Sequence, residues 1–179
     1  MDLHIYDFDD TLVDSKCLAY VRDSTGVIVK KLDAKEFKIY KLKPGEVYDF
    51  KEFHEYPEKG ILIGQTVRLF RQSLDNSNVR TCIITARAKK TPVYDFLSDR
   101  GIYCPEIFAI NDSTAAGKSN LVREILTRDY YHNVILYEDN EENINMIRTT
   151  AKLFDEVKFT GYHVKKDSNK KITRYRCQK

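Results

Sequence analysis

The sequence lacks most of the features that mark secreted, membrane-bound or zinc-stabilised proteins. Its four cysteines (Cys17, Cys82, Cys104 and Cys177) include no Cys-x-x-Cys pair, which argues against a disulfide framework and a structural zinc site in 179 residues. No apolar run approaches the roughly 20 residues of a membrane-spanning helix. The first residues, Met-Asp-Leu-His, also lack the basic and apolar regions of a signal peptide. We therefore expect free thiols, no disulfide-linked partner, no membrane segment and a cytoplasmic location.

A strong charge imbalance is also missing. The formal net charge is +3, which permits an anionic partner without requiring one. Hydrophobic residues make up 42% of the chain and aromatic residues 12%, and this composition argues against disorder. The length allows one domain with a sizeable core and is short for two. We therefore expect residues 1–179 to form a single domain, and we find no internal repeat.

What the sequence does contain is an alternation of apolar strands and amphipathic helices. Strands are predicted at 3–6, 80–87, 106–110, 133–137 and 156–164, and helices at 61–74, 92–100, 117–129 and 143–153. Strands that alternate with helices at this spacing favour a parallel sheet covered on both faces. The predicted fold is therefore α/β, a Rossmann-like three-layer sandwich with a mainly parallel sheet.

Two segments lie outside this alternation. Residues 14–58 contain a predicted hairpin around Ser24-Thr25-Gly26, a short helix at 34–41 capped by Asp33 and a strand at 46–53, which together predict a small α+β flap. Its lysines and aromatic residues either form the two faces of a small sheet or contact a nucleic acid. Residues 165–179 form a basic tail with a predicted hairpin near 167–169, which either binds phosphate groups or is simply solvated.

Reactive side chains follow three of the predicted central strands. They are Asp7 and Asp9 after the first strand, Thr85 at the end of the second and Glu138 with Asp139 after the fourth, with Lys118 beginning the helix before that fourth strand. A parallel sheet brings the carboxyl ends of its strands to one edge, so we expect these side chains to share a pocket. Carboxylates without thiol or imidazole neighbours favour a hard cation such as Mg²⁺.

The first two acids are two residues apart. While strand geometry holds, Asp7 and Asp9 share one face and Asp10 points away. Carboxylates held this close repel each other and need a cation or a shared proton. The spacing therefore supports a reactive site and identifies Asp10 as an outward-facing loop acid.

In this order the site motifs resemble the four motifs of the haloacid dehalogenase (HAD) superfamily. The matching residues are Asp7-Phe8-Asp9-Asp10-Thr11, Ile83-Ile84-Thr85, Lys118 and Glu138-Asp139. The resemblance covers roughly residues 3–150 and leaves the 14–58 insertion and the tail outside it. It implies phosphoryl transfer, because members of the superfamily that break carbon–halogen bonds lack both the second acid, here Asp9, and the metal.

The resemblance also implies a role for each residue. Asp7 would be the nucleophile that forms a phospho-aspartate, and Asp9 would be the general acid and then the general base. Thr85 would hydrogen-bond the phosphoryl oxygens, and Lys118 would neutralise their charge. Mg²⁺ would be held by Asp7, Asp139 and the backbone carbonyl of Asp9.

Several assignments stay open. Thr11 and Arg87 are candidate substrate contacts, although an arginine capping the sheet edge is an equal alternative for Arg87. Glu138 either joins the metal or supports Lys118. Asn143 stands where the last motif often has an aspartate, which leaves the residues around the metal ligands unassigned.

The sequence around the motifs narrows the substrate. The interval between Thr85 and Lys118 holds one helix and one strand, so residues 14–58 are the candidate cap. Two short motifs, Ile-Thr-Ala-Arg at 84–87 and Tyr-Glu-Asp-Asn at 137–140, resemble the phosphatase modules of polynucleotide end-healing and RNA-repair proteins, as does the basic tail. This resemblance implies a Mg²⁺-dependent phosphohydrolase acting on a nucleic-acid end (a 3′-phosphate) or a nucleotide. The alternatives are a small-metabolite or phosphoprotein phosphatase, or a nucleic-acid-binding module with residual activity.

Overall fold

The computed structural model describes residues 1–165, apart from the side chains of Lys35 and Lys38, and the backbone of residues 172–176. The strands are β1 (Asp2–Tyr6), β2 (Val13–Asp14), β3 (Ala19–Arg22), β4 (Ile28–Leu32), β5 (Val47–Asp49), β6 (Ile61–Leu62), β7 (Val79–Thr85), β8 (Ile107–Ala109), β9 (Asn133–Glu138), β10 (Lys158–Val164) and β11 (Ile172–Arg176). The helices are α1 (Ala34–Ile39), α2 (Gly64–Leu74), α3 (Thr91–Ser98), α4 (Ala115–Arg128) and α5 (Glu141–Ala151).

The central sheet has the strand order β11-β10-β9-β1-β7-β8. The strands from β10 to β8 run parallel, and β11 adds to the edge in the antiparallel sense. The first strand of the chain lies at the centre, where Tyr6 is level with Ile83 of β7 and Tyr137 of β9. The prediction of an α/β fold with a mainly parallel sheet is therefore confirmed. The turn predicted near 167–169 and Cys177 lie outside the described residues.

Helices cover both faces of this sheet. On one face Leu3 and Ile5 pack with Val122 of α4 and Ile144 of α5. On the other face a second core contains residues of β1, α2 and α3, among them Tyr6. The pleat of β1 thus sends successive side chains to different cores, as a strand buried on both faces requires. None of the helices in the described ranges has the length and apolar character needed to cross a membrane.

Residues 14–58, here called the inserted unit, form a small structure of their own. Strands β4, β3 and β5 make an antiparallel sheet beside α1, around a core of Ala19, Val21 and Leu32. At the start of α1, Asp33 Oδ1 accepts a hydrogen bond from the backbone N–H of Glu36 at 2.8 Å, and the Glu36 carboxylate accepts one from the N–H of Asp33. This reciprocal pair satisfies the first amides of the helix. The predicted hairpin, short helix and N-cap are confirmed.

The observed bounds of most elements lie within two residues of the predicted ones, and two elements differ by more. The strand expected at 46–53 ends at Asp49, because its partner β3 pairs only as far as Tyr20 opposite Asp49. A 3₁₀ turn at Lys51–His54 follows, and Asp49 Oδ1 accepts from the first amide of this turn. The helix expected at 61–74 begins at Gly64, because residues 61 and 62 pair with β2 as a short strand. Pairing with a distant strand decided both boundaries, and local periodicity does not contain that information.

We predict that Gly161→Ala lowers the free energy of unfolding by about 1–3 kcal/mol, the usual cost of overpacking a core. A Cβ at Gly161 would lie 2.7 Å from Ile144 Cγ2, so α5 would have to move off β10. Urea denaturation measures the change. Gly64→Ala is the matched control, because a Cβ there meets nothing within 4 Å. An equal or larger loss in that control would show that the close approach of α5 is not the cause.

Candidate active site

The predicted reactive residues meet at the carboxyl edge of the parallel sheet. Asp7 directly follows β1, Thr85 and Glu138 are the last residues of β7 and β9, and Lys118 lies in the first turn of α4. A cavity of about 240 Å³ opens at this edge. The predicted site residues that line it are Asp7, Asp9, Thr85, Arg87, Lys118 and Asp139, together with Glu138, which had two candidate roles.

A buried lysine joins two of the carboxylates. Lys118 Nζ donates to Asp7 Oδ1 at 2.7 Å and to Glu138 Oε2 at 2.8 Å. All three residues are at most 5% exposed. The second oxygen of Glu138 accepts a hydrogen bond from the N–H of Asn140 at 3.1 Å, which fixes the glutamate from the opposite side. Lys118 therefore holds Asp7 and Glu138 in one rigid, solvent-excluded group.

Burial and charge act in opposite directions on this group. Burial alone would lower the pKa of Lys118, but the carboxylates of Asp7 and Glu138 outweigh it and hold that pKa above its ordinary value. Burial raises the pKa of Asp7 well above its ordinary value, and the nearby carboxylates add to this rise against the opposing effect of Lys118. The ammonium group of Lys118 therefore does not fully offset burial and the neighbouring carboxylates. A further cation would stabilise the ionised form of Asp7.

Three carboxylates are placed to bind that cation. Asp7, Glu138 and Asp139 each offer an oxygen, and the three oxygens lie within 4.8 Å of one another. Asn143 Oδ1 is buried and has no hydrogen-bond partner among the described residues, and Asn143 lines the same cavity. An all-oxygen donor set of this kind suits Mg²⁺. Glu138 thus contacts Lys118 and also belongs to the carboxylate group, so its two candidate roles are compatible.

The chain turns sharply after Asp9. Asp10 has a left-handed φ of 56°, and the amides of Leu12 and Val13 both donate to the carbonyl of Phe8. The strand geometry assumed for Asp7 and Asp9 therefore ends within this motif. Asp10, expected to point away, in fact lines the cavity.

Thr11 lies on the inner side of the same turn. It is fully buried, its hydroxyl has no hydrogen-bond partner among the described residues, and it is not among the residues that line the cavity. The structure thus brings six of the predicted site residues to the cavity and places Thr11 behind them. Its predicted contact with substrate would require the turn to rearrange.

Asp9 has a different partner from Asp7. Its two carboxylate oxygens accept hydrogen bonds from Nη2 and Nε of Arg87, each at 2.8 Å. This two-pronged pairing fixes the plane of the carboxylate. The Asp9 side chain accordingly lies outside the group of three carboxylates placed for a metal.

The inserted unit supplies an apolar wall to the cavity, whose charged floor is formed by Asp7, Lys118, Glu138 and Asp139. This wall consists of Ala19, Leu32, Ala34, Phe37, Phe50 and Phe53. The sequence left open whether the aromatic residues of this segment form one face of a small sheet or contact a nucleic acid. In the structure they contact one another, and the ring centroids of Phe37 and Phe50 are 5.6 Å apart. What periodicity does not reveal is that one side of this aromatic cluster borders the cavity.

No family model, curated protein or solved structure matches the chain. The resemblance to the HAD superfamily therefore depends on the motifs themselves and on their convergence at one sheet edge. That convergence involves residues more than a hundred positions apart, such as Asp7 and Lys118. The charged and apolar side chains that line the cavity are therefore the features of the molecule that bear on its function.

We predict that Mg²⁺ raises the thermal midpoint of unfolding and that Asp139→Asn removes most of this rise. A ligand that binds only the native state adds about 2.7 kcal/mol at 100 times its Kd. Asp155→Asn is the control, because Asp155 is exposed and remote from the carboxylate group. Thermal denaturation with and without Mg²⁺ gives the comparison. An identical rise in both variants would locate the cation elsewhere.

Proposed function

We propose that this protein is a Mg²⁺-dependent phosphohydrolase of the HAD type that works through a phospho-aspartate at Asp7. The observation that carries the proposal is the buried Lys118, which pairs with Asp7 and Glu138 beside a third carboxylate, Asp139. Phosphoryl transfer needs an oriented nucleophile and positive charge around the transferred group. Lys118 orients Asp7 and supplies one positive charge, and a cation bound by the three carboxylates would supply the rest.

Each step has a residue of the right type. Asp7 attacks phosphorus to form an O–P bond as the bond to the leaving oxygen breaks, and the protonated form of Asp9 gives its proton to that oxygen. Asp9 then accepts a proton from water, which attacks the phospho-aspartate and releases inorganic phosphate. Lys118 and the Thr85 hydroxyl, which line the cavity, would stabilise the phosphoryl oxygens. Mg²⁺ held by Asp7, Glu138 and Asp139 would neutralise developing negative charge.

For the substrate we propose a nucleic-acid end or a nucleotide, with the inserted unit acting as a small cap. The support is the apolar wall, in which Phe37, Phe50 and Phe53 line the same cavity as the charged floor. A phosphate held on that floor leaves the rest of the substrate beside these rings, where a nucleobase can stack. The hydroxyl groups of a sugar phosphate would instead lose water against this surface without gaining partners.

We predict that the purified protein releases phosphate from 3′-phosphorylated oligonucleotides or nucleotides only with Mg²⁺, and that Asp7→Asn reduces the rate by at least about 10³-fold, since the nucleophile is lost. A panel of nucleic-acid ends, nucleotides, sugar phosphates and phosphopeptides identifies the class. Asp10→Asn is the matched control, because Asp10 lines the same cavity and asparagine tolerates its left-handed backbone. Activity that survives Asp7→Asn would refute the mechanism, and preference for phosphopeptides or sugar phosphates would refute the substrate class.

We also predict that Phe37→Leu raises KM for a base-bearing substrate by about 10-fold, because stacking on an aromatic ring contributes about 1–3 kcal/mol per base. Leucine keeps the apolar packing of the inserted unit but removes the ring. An abasic 3′-phosphate should show no such change. Phe154→Leu, which alters a ring packed in the core beside α4 and α5, is the control. Equal effects on base-bearing and abasic substrates would contradict stacking.

A further inference from the structure

Arg87 lies two residues beyond β7 and is almost completely buried, with 2% of its surface exposed. A guanidinium group has five N–H donors in a fixed plane. In Arg87, Nε and Nη2 donate to the two oxygens of Asp9, Nη1 donates to the carbonyls of Phe53 and Glu55 at 3.1 and 2.9 Å, and Nη2 also contacts Cys17 Sγ at 3.4 Å. All five donors are thus directed at protein atoms.

These contacts connect two separate parts of the molecule. Asp9 belongs to the turn after β1, whereas Phe53, Glu55 and Cys17 belong to the inserted unit. The Phe53 ring also lies 5.7 Å from the guanidinium carbon. Arg87 is therefore the side chain through which the inserted unit and the Asp9 carboxylate contact the same rigid group.

From this geometry we propose that Arg87 is a positioning residue, which places Asp9 for proton transfer while the inserted unit lies over the cavity. The proposal rests on the phosphohydrolase function and deepens it by giving the cap a direct connection to the general acid and base. It also assigns Arg87 a role different from binding the substrate phosphate, since its donors are already engaged.

The physical reason is the cost of leaving a buried charged donor without partners. If residues 53–55 moved away, Nη1 would lose both acceptors, and the guanidinium would turn toward water or other oxygens. Because the guanidinium is planar and rigid, this turn would also break its paired contact with Asp9. Closure of the inserted unit and correct placement of Asp9 therefore stabilise each other, and such coupling is reciprocal.

Arg87→Lys tests the proposal, because it keeps the positive charge and removes the planar fork. The readout is kcat/KM on a p-nitrophenyl phosphate and on an alkyl phosphate. The alkoxide leaving group needs a proton from Asp9, whereas p-nitrophenolate scarcely does. We expect a loss of about 10²-fold on the alkyl ester and below about 10-fold on the aryl ester, in line with the usual contribution of general acid catalysis. Asp9→Asn should show the same selectivity.

Arg80→Lys is the matched control. Arg80 lies on β7 and makes a comparable forked pair with Glu106, but at the opposite end of the sheet. This variant should leave the ratio of the two activities unchanged. Equal losses on both esters in Arg87→Lys, or a rise in KM alone, would overturn the positioning role and favour a purely structural role or a direct phosphate contact.

A second measurement does not depend on activity. Hydrogen exchange of the amides in residues 47–56 should become faster in Arg87→Lys and stay unchanged in Arg80→Lys. Unchanged exchange in both would overturn the connection to the inserted unit, whatever the kinetics show. If the parent protein releases phosphate from no ester at all, the proposed function fails and the positioning role fails with it. A faster exchange in Arg87→Lys would then show a structural contact only.

Discussion

The buried ion group of Lys118 with Asp7 and Glu138 is the interaction on which the rest of the site depends. Burying the charged lysine here without partners would cost much free energy. Without the lysine, the two carboxylates would repel each other strongly, because little water is present to screen their charges. The group is stable only as a set, and Asn140 and the end of β9 fix the glutamate from behind. Buried titratable groups with strongly shifted pKa values, such as Asp7 and Lys118, are typical of reactive sites in proteins.

The fold makes this group possible. Strand β1 lies at the centre of the parallel sheet, so Asp7 leaves it between the ends of β7 and β9. The first turn of α4 then brings Lys118 over the same edge. The inserted unit follows immediately after the motif at residues 7–11 and returns to the cavity. There it supplies an apolar wall, and two of its carbonyls accept hydrogen bonds from Arg87. One continuous segment of sequence thus connects Asp7 and Asp9 to the apolar wall of the same cavity.

Sequence patterns predicted the sheet and most of the site, for identifiable reasons. Buried strands that end in acids must place those acids at one edge, so the meeting of Asp7 with Lys118 followed from alternation of strands and helices. The contact between Arg87 and the inserted unit could not be predicted in this way. It depends on the path of residues 53–55 in three dimensions, and the 3₁₀ turn at Lys51–His54 replaced a predicted strand there. The place of Asp10 in the cavity lining and the burial of Thr11 likewise result from a tight turn whose left-handed residue has no distinctive sequence signal.

The most direct test of the central claim is chemical trapping of the phosphorylated enzyme. The protein is mixed with a phosphate monoester and Mg²⁺, quenched in acid and reduced with borohydride, which converts an aspartyl phosphate to homoserine. Peptide mass spectrometry then locates the modified residue. We predict homoserine at position 7 in the parent protein and none in Asp7→Asn. Turnover without any modified carboxylate, or modification at another acid, would contradict a mechanism in which Asp7 is the nucleophile.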